Sequence, residues 1–191
     1  MTVKTNLSRL GMLLVAACLL SGCAATKRRS PKQVQEGRTI RNNCYSLLHQ
    51  LLEQEKHVSL LRFIKDEKSD VNALIRRISA AAAAGAQLLE GYAAEDDSIS
   101  LDDTWLPPGE SATRESIAAS TRSELLHESG REFELRLLIT QTQALNYGAN
   151  LSKVAAENES QVSRSRSLLK LSGELQGLNQ DVLRILLSRG N

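Results

Sequence analysis

Residues 71–92 read VNALIRRISAAAAAGAQLLEGY, and their pattern decides the fold class. Val71, Ile75, Ile78, Ala82, Gly85, Leu89 and Tyr92 recur at alternating steps of four and three, which gathers them on one stripe of an α-helix and scatters them on a strand. Such a stripe is the seam of helix-on-helix packing. Its middle, Ala80–Ala84 with Gly85 and Ala86, is thin, so a neighbouring helix can come close or large residues can fill the space opposite. Alanine is also the best helix former, and the run continues the helix instead of interrupting it. Ser69 or Asp70 is the expected cap.

The same spacing extends in both directions. Upstream, Ser30-Pro31-Lys32-Gln33 combines a capping serine, a proline suited to the first helical position and a glutamine that completes a capping box. A helix is expected from there to about Glu55, with a seam of Ile40, Cys44, Leu47 and Leu51 widened by Leu48 and Leu52. A short apolar segment, Val58–Ile64, follows and closes at the charged turn Lys65–Lys68. Downstream, residues 93–111 form a long acidic connection in which Pro107 and Pro108 prevent regular helix. Trp105 and Leu106 are expected to fold back there as an apolar latch. A helix resumes near Ser111 and runs to Glu128, with a break at Ser129-Gly130. Residues 131–157 carry a further seam, Phe133, Leu137, Thr140, Ala144, Tyr147, Leu151 and Val154. After a tight link at 158–160, the last helix places Leu168, Leu171, Leu175, Leu178, Val182 and Ile185 together. Four matched segments of about 36–43 Å result. The expected fold is all-α, an antiparallel four-helix bundle with short accessory helices at 58–64 and 112–128.

The chain begins differently. Lys4 and Arg9 precede an apolar run, Leu10–Leu20, too short to span a membrane comfortably, and Leu20-Ser21-Gly22-Cys23 ends it. This stretch resembles the signal peptide and lipobox of bacterial lipoproteins. The resemblance implies removal of residues 1–22 and acylation of Cys23, which then becomes the lipidated N-terminus. Ala24 in the next position, in place of Asp, is similar to lipoproteins sorted to the outer membrane of Gram-negative cells. The expected organisation is a signal peptide at 1–22, a lipidated tether at 23–30 and a helical bundle domain at 31–191. The implied location is the cell envelope, on the periplasmic face of the outer membrane. Seven extended residues reach at most about 25 Å, so the domain would stay near the membrane surface. Lys27, Arg28 and Arg29 would lie against its head groups.

Of 191 residues, the mature chain keeps 169, and losing Lys4 and Arg9 from 24 basic residues leaves 22 against 22 acidic. A neutral domain lacks the electrostatic footprint of a nucleic-acid binder, and no nucleic-acid partner is expected. The lipoprotein resemblance implies that Cys18 departs with the signal and Cys23 is acylated, which leaves Cys44 without a disulfide partner and expected as a buried small hydrophobe. Packing must then supply the stability. Aromatic residues are only 3% of the chain, so that packing rests on aliphatic side chains.

Few residues offer chemistry. Glu124-Leu-Leu-His127 puts a carboxylate and an imidazole on one helix face, half of the pattern that ferritin-like di-iron bundles use twice. The second copy is absent, and the pair is read as a surface Glu and a half-exposed His, weak candidates only. No metal site is assigned. His49 and Glu53 are four apart, as are Glu53 and His57, in a different pattern. Gln141, Gln143, Asn146 and Asn150 form a polar set, expected to be buried amides that fix helix register. Arg164 and Arg166 alternate with Ser163, Ser165 and Ser167 on what is expected to be a solvated face. The carboxylates of the 93–111 connection lack the alternating pattern of a calcium loop. No nucleophile elbow, phosphate loop, HExxH or CxxC is present. The expectation is a non-enzymatic interaction module without cofactor, held to the membrane by its N-terminal lipid and binding an envelope protein or a second copy of itself. The alternative is a ferritin-like metal-binding or oxidoreductase bundle using Glu124 and His127.

Overall fold

The computed structural model describes residues 30–63, 69–102 and 104–189, with only the backbone of 61–63. The lipobox-like stretch, its tether up to residue 29 and the charged turn at 65–68 lie outside the described residues. Five helices are described: α1 (Pro31–Glu55), α2 (Ser69–Glu95), α3 (Pro108–His127), α4 (Gly130–Asn158) and α5 (Val162–Arg189), with a 3₁₀ segment at Val58–Phe63. Among the described residues there is no strand. The fold is all-α.

Four of these helices close a ring in the order α1, α2, α5, α4. Arg189 near the end of α5 meets Asp70 at the start of α2, while Arg164 near the start of α5 meets Asp96 just past the end of α2. Hence α2 and α5 are antiparallel, and the short 159–161 link makes α4 and α5 antiparallel as well. α2 and α4 therefore run the same way, and the chain between them must travel back along the bundle. α3, 20 residues and about 30 Å long, makes that crossover along the outside of α4 and buries only Leu125. Residues 112–128 are thus most of a crossover helix, which starts earlier than expected because proline fits the first turn.

The α2 seam falls where its spacing puts it. Val71, Ile75, Ile78, Ala82, Gly85 and Leu89 are buried, and Tyr92 packs partly buried at the end. The α5 seam holds too, from Leu168 to Val182, with Ile185 partly buried. Each fully buried leucine of this kind contributes about 1.5–3 kcal/mol. The thin stretch of α2 takes leucines from two sides: a Cβ on Gly85 would stand 2.9 Å from Leu52 Cδ1 and 3.2 Å from Leu171 Cδ1. Gly148 of α4 does the same for Leu51 and Leu175. The capping box of α1 forms as read, with Gln33 N donating to Ser30 Oγ and Ser30 N donating to Gln33 Oε1 at 2.8 Å.

Two seams hold only in part. In α1 the buried positions are Gly37, Arg41, Cys44, Tyr45, Ser46, Leu48 and Leu52, whereas Ile40 is exposed and Leu47 and Leu51 are partly covered. In α4 the expected Phe133, Leu137 and Leu151 are buried, Thr140, Ala144 and Tyr147 are partly covered and Val154 is exposed, while the buried face also takes in Leu138, Gln141, Leu145, Gly148, Ala149, Ser152 and Ala156. Both helices touch two neighbours of the ring, so each buries a broader face than one narrow seam. Small or polar residues on that face carry no apolar signal. The expected latch is also corrected: Trp105 is 67% exposed, and Ile99 and Leu101 seal the connection instead.

Candidate functional site

The densest buried chemistry lies at one end of the bundle, where α1 leads in, α2 and α4 finish and α5 starts. Two arginines organise it. Arg41 of α1 is buried on the inner face, one turn before Tyr45. Arg164 enters from the first turn of α5 and is 3% exposed. Its expected place on a solvated face is overturned, because the 159–161 link folds α5 so that this turn points into the ring.

Glu159, whose side chain is fully covered, sits between α4 and α5. It accepts from Tyr45 Oη at 2.7 Å and from the Gln161 backbone N–H at 2.9 Å, with Arg41 Nη1 3.8 Å away. Burial alone would raise its carboxyl, but these donors and the arginine charge outweigh it and hold the carboxyl below its ordinary range. Tyr45 is pushed far upward by burial and by the hydrogen bond to Glu159, and stays a neutral donor. Arg164 donates to Asp96 at 2.8 Å. Asp96 also accepts from the Ser98 hydroxyl at 2.6 Å and the Ser98 backbone N–H at 3.0 Å. The Ser98 and Arg164 hydrogen bonds bring its carboxyl down to about 2.

The aromatic rings complete the cluster. Tyr45 and Tyr92 meet edge to face at 6.2 Å, and the Arg164 guanidinium lies 5.2 Å from the Tyr92 ring centre. Arg41 reaches Ser98 Oγ at 3.1 Å, Asn42 Nδ2 donates to the Ser98 carbonyl at 2.6 Å, and Ser46 donates to the Ser100 carbonyl at 2.7 Å. The arrangement ties the connection after α2 to α1 and α5. Glu159 and Asp96 are ionised, saturated with donors and faced by arginine, which suits a lock and not proton transfer. The sequence reading missed Arg41, Tyr45 and Glu159; the one local mark was an arginine and a tyrosine one helical turn apart.

The residues singled out from sequence lie elsewhere. Glu124 and His127 are on the outer helix α3. Glu124 accepts from Arg136 at 2.6 Å, and His127 Nδ1 is 2.6 Å from the Ser123 carbonyl. Among the described residues they join no ligand set with other helices. Gln143, Asn146 and Asn150 are exposed, with Asn150 bonded back to Asn146 on its own helix, so they are not buried register amides. Gln141 alone of that set is buried, beside Glu55. Glu55 borders a gap of about 10 Å³ whose other walls are Leu51, Leu52, Ile78, Ala82, Ala144, Leu145 and Leu175. The gap is the size of about one water, too small for an organic ligand. Cys44 is buried, and burial pushes its thiol up to about 11. It is inert packing.

Among the described residues, one group has the make-up of a metal-ligand set: His49 and Glu53 of α1 with Glu90 of α2, all ligand atoms within 4.8 Å of one another. No helix among the described residues is long and apolar enough to cross a membrane. Together these features define an all-α helical bundle with a buried arginine–carboxylate lock at one end. Comparison of the chain with protein-family models, curated proteins and solved structures returned no match.

Proposed function

We propose that the protein is a lipid-anchored component of the bacterial cell envelope, tethered through Cys23 on the periplasmic face of the outer membrane, that works without catalysis by contact with another envelope protein. The observation that carries the reading is the lipobox-like Leu20–Cys23 placed seven residues ahead of Ser30, where the capped α1 begins. A tether of that length keeps the α1 end of the bundle towards the membrane. The connection carrying Trp105 leaves the same end, because Asp96, Ser98 and Ser100 are fastened there to α1 and α5.

Trp105 is the proposed contact. It is largely exposed and holds a left-handed backbone, φ +51°, that costs a tryptophan about 1–2 kcal/mol. Strained, solvent-facing aromatics of this kind supply anchor residues at protein interfaces. Leu106 follows it, half-covered, and the Pro107-Pro108 pair stiffens the base of the loop. Crosslinking in intact cells tests the reading. A photoreactive residue at position 105 is expected to capture a partner, and Cys23→Ser is expected to abolish the capture. Equal capture from an exposed α5 position such as Leu187 would defeat the assignment of Trp105.

A further inference from the structure

We infer that His49, Glu53 and Glu90 form a binding site for a divalent transition-metal ion, zinc being the best match, that staples α1 to α2. His49 and Glu53 stand one turn apart on α1, and Glu90 faces them from α2. His49 Nε2 lies 3.2 Å from Glu90 Oε1. Tetrahedral zinc with bonds of about 2.0–2.1 Å separates its ligands by about 3.4 Å, so this edge already has the required span. Glu53 completes the triangle within 4.8 Å and closes in by rotation of a flexible side chain. The His49 side chain is 17% exposed, which restricts its ring, while Glu90 is half exposed and leaves the site open to solvent. The fourth position falls to water.

The site already attracts a cation. Lys56 Nζ sits 2.5 Å from Glu53 Oε1. Lys56 therefore competes with a metal for Glu53. One imidazole and two carboxylates suit zinc and its neighbours in the transition series. Calcium takes six to eight oxygen ligands and magnesium an octahedral shell, which three side chains with a nitrogen among them serve poorly.

The test is titration of the full chain with zinc by calorimetry, with cobalt(II) absorption as the coordination probe. One ion per chain, bound at concentrations on the order of 10 µM, is expected. His49→Ala and the exposed variant Glu90→Gln should each weaken binding about tenfold or more, with unchanged helical content by circular dichroism. Lys56→Ala should tighten it by removing the competitor. Absence of zinc binding, affinity unchanged in both His49→Ala and Glu90→Gln, or loss of binding in His127→Ala instead would overturn the assignment.

Discussion

Replacing Glu159 by Gln tests whether the buried lock holds the end of the bundle. The substitution keeps the shape but removes the negative charge that Tyr45 donates to and that faces Arg41. Stripping a buried ion pair of one partner costs about 3–5 kcal/mol when the other charge is left without compensation. Arg41 retains Asn42 Oδ1 at 2.9 Å and Ser98 Oγ at 3.1 Å, so the loss falls below that range, to about 2–3 kcal/mol. For a domain of this size each kcal/mol moves Tm by about 2–4 °C, and a fall of about 5–10 °C at pH 7 follows. Thermal and urea unfolding of residues 24–191 by circular dichroism reads it. The acid limb gives an independent check. Because the folded Glu159 carboxyl lies below its unfolded value, its contribution is complete above about pH 4.3 and disappears as pH falls through the lower folded value. Glu159→Gln should flatten that part of the stability curve. Adding Arg41→Met should recover much of the loss, since the orphaned charge is gone. A Tm change below about 1 °C, or strictly additive single and double variants, would refute the reasoning.

Three further outcomes follow from other parts of the bundle. Burial holds the Glu55 carboxyl above its ordinary value against the opposing hydrogen bond from Gln141, so charging it costs stability as pH rises through that raised value. Glu55→Gln should therefore be more stable than the parent at pH 8 and closer to it at pH 5 in urea titrations. Ser172 Oγ donates to the Ala149 carbonyl at 2.8 Å across α4 and α5, and Ser172→Ala should cost about 1 kcal/mol. Trp105→Gly relieves a left-handed backbone and should leave Tm equal or higher, while a photoreactive residue at the neighbouring position 106 captures less of the partner.

The fold was legible where apolar spacing was dense and hidden where small or charged side chains do the packing. α2 and α5 each show an unbroken four-three seam, and both pack as that seam dictates. In α1 the apolar residues Ile40, Leu47 and Leu51 suggested a stripe one position off the real one. The true stripe includes Gly37 and Arg41, which no hydropathy reading places inside. In α4, Gly148, Ala149, Ser152 and Ala156 face two neighbours and give equally little signal. The crossover role of α3 depends on the parallel directions of α2 and α4, a three-dimensional relation with no local sequence mark. Arg164 was misread because its burial is set by the geometry of the 159–161 link, not by the alternation of serine and arginine around it. His49 and Glu53 were visible as a pair one turn apart, but Glu90, which completes the group, is supplied by packing between helices.

Lipid anchoring at Cys23 supports everything proposed for the protein's place and partners, and one measurement addresses it most directly. The full chain and Cys23→Ser are expressed in a Gram-negative host, the envelope is fractionated, and the N-terminal peptide is weighed by mass spectrometry. Anchoring predicts an acylated peptide beginning at Cys23, recovery of the parent with the outer membrane, and a Cys23→Ser variant that no longer sediments with it. An unacylated N-terminus, or a Cys23→Ser variant that still fractionates with the outer membrane, would contradict it.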